Sequence, residues 1–503
     1  MNHYLLGFDV GSSSVKASVI DVKTGTVVAS GQSPSEEMAM YADQPGWAEQ
    51  DPAAWWDHAV KSLQQALNKA GISARDIQAI GISYQMHGLV CVDKDQKVLR
   101  PSIIWCDSRA VEIGKHAFHE LGESYCLQHL LNSPGNFTAS KLRWVKVFEP
   151  EVYERIYKVM LPGDFLAMKL TGDIVTTRSG LSEGMFWDYE QGSASTKLLA
   201  HYGISETVLA DVVPTFSIQG KVKRDVAGLL DLKEGTPVSY RAGDQPNNAF
   251  SLNVLNPGET AATAGTSGVI YSITDKNAYD MKSRVNAFIH VNDEPATRRN
   301  GILLCVNGTG IQNSWLRKQA QSGGALLTYD QINKIAAGAP VGSDGITILP
   351  FGNGAERMLE DKNINGSVHG VNFNRHSQAH LFRAAQEGIV YALRYGFDVL
   401  KDMGVSSTVI RAGNANMFLS PLFREAFVNT TRARLELYDT DGAKGAALGA
   451  GVGAGLYGSF EEAFKGLKII RAEEPRSDLS ELYEQSYMHW SMVLKRQLQH
   501  QHG

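Results

Sequence analysis

One local pattern occurs twice in this chain and limits what it can fold into. "LLGFDVGSSSVKASVID", from Leu5, is an apolar run broken at Gly11 and three serines before a second apolar run begins; "GETAATAGTSGVIYSI", from Gly258, repeats the arrangement around Gly265 to Gly268. Short apolar runs separated by Gly/Ser turns predict paired strands. A single such turn reads equally well as the tip of a surface hairpin. Two of them, one in each half, point instead to a duplicated α/β unit whose turns can face a common cleft. Their backbone N–H groups would then hold a phosphate chain, with Asp9 beside a metal ion. The P-loop signature GxxxxGK[ST], the other common route to phosphate, is absent.

A chain of 503 residues exceeds one ordinary hydrophobic core. Two domains are expected, 1–249 and 250–503, divided after "RAGDQPNNAF", with small molecules bound in the cleft between them. With 48 basic against 53 acidic residues the net charge is -5, so no positive field exists for a nucleic acid backbone. Cys91, Cys106, Cys126 and Cys305 lack CxxC spacing and read as reduced, mostly packed thiols of a cytoplasmic protein. The start of the chain has no basic segment or cleavage site of a signal peptide. The stretch from Gly445 to Gly458 is too short and too glycine-rich to span a membrane and reads as a closely packed buried helix.

Further elements follow from periodicity and punctuation. "GTVVASGQS" extends the first hairpin to a third strand. Asp51 and Pro52 open a helix whose apolar stripe is Trp56, Val60, Leu63 and Leu67, closed by Gly71. "DIQAIGIS" is a buried strand running into "YQMHG". In the second half, Phe382, Ala385, Ile389, Ala392, Gly396 and Leu400 form one face of a long helix, followed by the strand "STVIR", the loop "AGNANM" and a helix opened by Ser420 and Pro421.

Phosphoryl transfer asks a protein for oriented donors, a magnesium ion and a carboxylate that accepts the proton of the attacking hydroxyl. Asp244 follows a strand and a glycine and is flanked by Gln245, which suits that carboxylate; an Asx turn is the alternative. Asp9 suits magnesium, held through water. Asp107 would hold sugar hydroxyls or cap a helix, and Asp164 is read as a cap. His87, alone in a loop, reads as a structural histidine or as a polyol partner, and lacks the second histidine of a metal site. Trp47, Trp55, Trp56, Trp105 and Trp187 are mostly core, with stacking on a sugar face as the other role.

Taken in order, "FDVGSSSVKASVID", "GWAEQDPAAWW", "GISYQMHG", "PSIIWCDSRA", "RAGDQPNNAF", "ATAGTSGV", "LPFGNGAER" and "AKGAALGAG" resemble the FGGY carbohydrate kinases, with "QMHG" most similar to their xylulose-phosphorylating members. The resemblance runs from about Leu5 to Gly458. It implies two actin-like, RNase-H-like domains about a central cleft, ATP and magnesium in that cleft, and transfer of the γ-phosphate to a ketose, D-xylulose above other ketoses or polyols. Asp244 matches the catalytic base, and Met86 and His87 match the pair touching the sugar, with Arg109 and Gln245 beside them. Gly11, Ser12, Ser13 and Ser14 match the first phosphate turn, and Gly265, Thr266 and Ser267 the second. Gly310, Gly413, Asn414 and Asn416 fall where the family surrounds ATP, and Asp9 and Asp244 are the magnesium ligands. A homodimer is one assembly this leaves open. An actin- or Hsp70-like ATPase is the rival class. In "AGNANM" asparagines stand where the family usually carries small residues.

Overall fold

The computed structural model describes residues 3–320 and 325–500. The outermost ends of the two expected halves, 1–2 and 501–503, lie outside the described residues.

The first hairpin forms as its sequence requires. Strand Tyr4–Val10 pairs antiparallel with Val15–Asp21, which pairs with Val27–Ser33. Tyr4–Val10 also runs parallel to Ile77–Tyr84, and that strand runs parallel to Pro237–Gly243, with Phe216–Lys221 on the outer edge. Every residue of Tyr4–Val10 except Asp9 is buried, the near-continuous apolar run of a strand covered on both faces. The second sheet repeats the motif. Glu259–Ala264 pairs antiparallel with Gly268–Thr274 and parallel with Val409–Gly413, which runs parallel to Arg434–Tyr438.

The glycine- and alanine-rich stretch is the buried helix Gly442–Gly453, and it lies on the first sheet although it follows a strand of the second. Small residues permit this contact. A β-carbon on Gly7 would stand 1.9 Å from the Ala443 carbonyl oxygen, and one on Gly81 would stand 1.9 Å from that of Ala446. The two halves of the chain therefore interlock: the last third sends a helix back over the strands laid down first.

Helix Pro52–Ala70 begins at Asp51, whose carboxylate accepts the Ala53 N–H, and ends at Gly71 with a left-handed backbone. Its core face is rotated from the expected stripe. Trp55, Ala59, Leu63 and Ala66 are buried, whereas Trp56, Val60 and Leu67 are half-buried. The cause is close packing on the third strand, where a β-carbon on Gly31 would fall 2.1 Å from the Ser62 carbonyl oxygen, so the face of smaller residues turns inward. Helix Gln378–Asp402 buries all six expected stripe residues, and Ser420 caps helix Pro421–Thr431. All four cysteines are free; Cys91 and Cys126 are buried, while Cys106 and Cys305 are exposed, fewer packed thiols than the sequence suggested. Among the described residues no helix is long and apolar enough to cross a membrane.

Candidate active site

Register places the chemistry. Val10 is level with Tyr84, and Tyr84 with Gly243, so three parallel strands end together and the residues that follow emerge at one carboxyl edge. That edge is where open α/β sheets bind ligands. The turn Gly11–Ser14, the segment Gln85–His87 and Asp244 are thereby gathered. In the second sheet Ala262 is level with Ala412, and Gly413 with Tyr438, which brings the turn Gly265–Ser267 close to the loop after Gly413.

A cavity of about 640 Å³ lies between these edges. Asp9, Gly11, Ser12, Ser13, Ser14, Met86, His87, Asp244 and Gln245 line it from the first sheet, and Ser267 from the second turn. A second cavity, of about 610 Å³, continues on the other side of that turn and is lined by Gly265, Thr266, Gly310 and Asn416. Gly310 sits tight against the turn: its N–H donates to the Gly265 carbonyl at 2.8 Å, and the Thr309 hydroxyl reaches the same oxygen at 2.9 Å.

The carboxylates of the first cavity perturb one another. Burial, and then the charge of Asp9, push the Asp244 carboxyl up to about 7, while the Gln245 backbone and side chain pull the other way. Burial likewise raises Asp9; the nearby Ser83 hydroxyl opposes it, Asp441 adds repulsion and Lys16 offsets part of that. Lys16 is ion-paired with Asp441, the cap of helix Gly442–Gly453. Two carboxyls that repel each other across one cavity are a fit for a divalent cation. Among the described residues no group of three His, Cys, Asp or Glu gathers, and magnesium commonly takes only one or two carboxylates, with phosphate and water completing its shell.

His87 has a left-handed backbone, φ 63°, rare for a residue with a side chain. Its Nδ1 lies 2.9 Å from the Glu183 carbonyl oxygen, its ring meets Phe137 edge-on at 4.8 Å, and burial lowers its pKa to about 3. The imidazole is therefore neutral, with Nδ1–H donating and Nε2 an acceptor.

Comparison with known proteins accords with this geometry. The model of the N-terminal domain of the FGGY family of carbohydrate kinases matches residues 4–251. The chain is 31% identical to the xylulose kinase of Haemophilus influenzae over 418 residues, 81% of each chain, and 30% identical to that of Klebsiella pneumoniae over 452 residues, 88% of each. This chain belongs to the FGGY family of carbohydrate kinases. The crystal structure of xylulose kinase from Rhodospirillum rubrum superposes with a TM-score of 0.88 at 26% identity, covering 98% of this chain and 99% of that one. The two-domain actin-like fold is thus that of the FGGY kinases, and the chain is a sugar phosphotransferase with ATP as co-substrate.

Against the family expectation, three residues stand outside both cavities. Arg109 is almost wholly buried: its guanidinium bonds Asp107 at 2.7 to 3.0 Å, pairs with Glu49 at 2.6 Å and stacks on Trp47 at 3.8 Å. It is a loop staple and lines neither cavity. Gly413 ends a strand, and the Asn414 N–H is spent on the Tyr438 carbonyl, so of that loop Asn416 and Met417, not Gly413 or Asn414, reach the second cavity. Asp107 is occupied by Arg109 and by the Ala48 N–H; Asp164 accepts the Leu161 N–H as a cap and pairs with Arg241. Trp55 is core, whereas Trp105, 53% exposed, lines the first cavity.

Sequence reasoning passed over Lys16, Gln85, Asn286 and Cys305 in the first cavity and Tyr329, Asp330 and Asn333 in the second. Lys16 had a signal, a cation just after the serine turn in an otherwise apolar strand. Gln85 also had one, its place at a strand end beside Met86, whereas the rest are delivered by long-range packing.

Proposed function

We propose that this FGGY kinase is a xylulose kinase that transfers the γ-phosphoryl group of ATP to a hydroxyl of D-xylulose, forming D-xylulose 5-phosphate, with magnesium. The observation that carries the reading is the convergence of Asp244, Met86 and His87 with both glycine turns on one pair of adjoining cavities. The xylulose kinases among its relatives support the ketose.

In this reading the ketose lies against Met86, His87, Gln245 and Trp105. The neutral His87 ring accepts a hydrogen bond from a sugar hydroxyl at Nε2. Asp244, ionised, accepts the proton of the attacking hydroxyl as its oxygen bonds the γ-phosphorus and the bond from that phosphorus to the β–γ bridging oxygen breaks, releasing ADP; a raised pKa makes it a better base at neutral pH. The turns Gly11–Ser14 and Gly265–Ser267 cradle the phosphates from opposite sides, with Gly310 and Asn416 along the nucleoside. Asp9 and Asp244 would hold magnesium, which when bound neutralises phosphate charge. The domain division at residue 249 and a cytoplasmic site of action belong to the same proposal, as does a dimer among the possible assemblies.

A coupled ADP-release assay over D-xylulose, D-ribulose, L-fuculose and glycerol tests it. ADP release greatest with D-xylulose is expected. Preference for another acceptor would reassign the substrate, and ADP release indifferent to all of them would favour an ATPase.

A further inference from the structure

Glu183 ends the short helix Arg178–Glu183 and is 1% exposed. A charged residue in such a place needs a reason. Its Oε1 accepts the His87 N–H at 3.4 Å. Its Oε2 has no hydrogen-bond partner among the described residues and lies against Gly243, where a β-carbon would stand 2.3 Å from it. Glu183 therefore touches both the sugar-side segment Met86–His87 and the glycine from which Asp244 springs. On the opposite side of the His87 peptide, the buried Lys141 ammonium donates to the His87 carbonyl at 2.9 Å. The two groups hold the successive peptide units on either side of the His87 α-carbon, whose φ of 63° is seldom adopted by a residue with a side chain, and such conformations persist only where the surroundings over-determine them.

We propose that Glu183 is a positioning residue for sugar binding: its side chain, with Lys141, fixes the left-handed backbone of His87 and sets the imidazole at the cavity wall beside the Gly243–Asp244 corner. The proposal rests on the sugar-kinase reading of that cavity. Burial holds the Glu183 carboxyl well above the usual carboxylate range, the His87 N–H opposes this, and Asp244 and Asp164 add repulsion. Glutamine keeps the length of Glu183 and its acceptor for the His87 N–H without the charge, and is its nearest mimic. The Glu183 backbone carbonyl, which receives His87 Nδ1, survives any side-chain change, so substitution isolates the clamp from the ring's other anchor.

The test compares E183Q and E183L by steady-state kinetics with D-xylulose and ATP. D-Xylulose-dependent ADP release by the unaltered protein comes first; its absence would sink the proposed function and is distinct from the outcome below. E183Q keeps an acceptor for the His87 N–H and is expected to hold both KM values within about threefold, whereas E183L, leaving that N–H buried and unmet, raises the KM for D-xylulose about tenfold and that for ATP less than about twofold. If E183L does not fold, E183S, too short to reach His87, takes its place with the same expectation. A wild-type sugar KM in E183L or E183S, an equal rise in both KM values, impairment of E183Q as deep as that of E183L, or failure of both truncations to fold would overturn the proposal.

Discussion

Gly442 stands so close to Asp9 that a β-carbon at position 442 would lie 2.3 Å from Oδ2 and 2.6 Å from Cγ of the Asp9 carboxyl. The helix start that closes the first sheet thus fixes where a cavity carboxylate from the opposite end of the chain can sit.

Gly442→Ala is expected to push Asp9 aside without unfolding the helix, because alanine is the better helix former and the clash is with a side chain. The magnesium concentration giving half-maximal activity should rise about fivefold or more, in line with loss of one well-placed ligand. An unchanged magnesium dependence in a folded variant would remove Asp9 from the metal site.

Asp244→Asn keeps the shape of the base and removes its proton affinity. A loss of about 10²-fold or more in kcat is expected, with the KM for sugar little changed. Binding of D-xylulose by calorimetry should persist; near-normal turnover would move the base elsewhere.

The raised Asp244 carboxyl fixes the sign of the pH dependence. A base whose pKa is about 7 is increasingly protonated below that pH, so kcat/KM should fall toward tenfold per unit on the acid side of neutrality and level off above it. His87, with its pKa lowered to about 3, stays neutral throughout and adds no limb between pH 5 and 9. Saturating magnesium should displace the limb to lower pH, since a cation favours the ionised carboxylate. A profile flat down to pH 5 at low magnesium would contradict the assignment.

Much of this site was legible because its residues follow strand ends directly. Gly11–Ser14, Met86, His87 and Asp244 lie within a few residues of segments whose β periodicity is plain, and the duplicated turn shows that both sheets contribute. Arg109 was misjudged since a cation near a sugar loop looks the same on paper whether it faces solvent or Asp107, Glu49 and Trp47; only the fold decides. Glu183 and Lys141 left no trace, as each is recruited across more than fifty positions to the His87 peptide. The rotated face of helix Pro52–Ala70 has the same origin, a glycine on a distant strand that admits a flatter surface.

The interlocking helix yields the last prediction. At Gly81 a β-carbon would meet backbone, 1.9 Å from the Ala446 carbonyl oxygen, and backbone cannot rotate away as a side chain can. Gly81→Ala must therefore lift helix Gly442–Gly453 from the sheet or bend the strand, an overpacking expected to cost about 3 kcal/mol or more. Because the helix begins beside Asp9 and covers the strands that end at the turn Gly11–Ser14 and at Gln85–His87, the strain should also reach the cavity. A fall in thermal midpoint of several degrees, with parallel loss of activity and of protection from proteolysis near residues 439–458, is expected on thermal scanning and limited digestion. Wild-type stability in Gly81→Ala would mean that the helix does not sit on the first sheet as described.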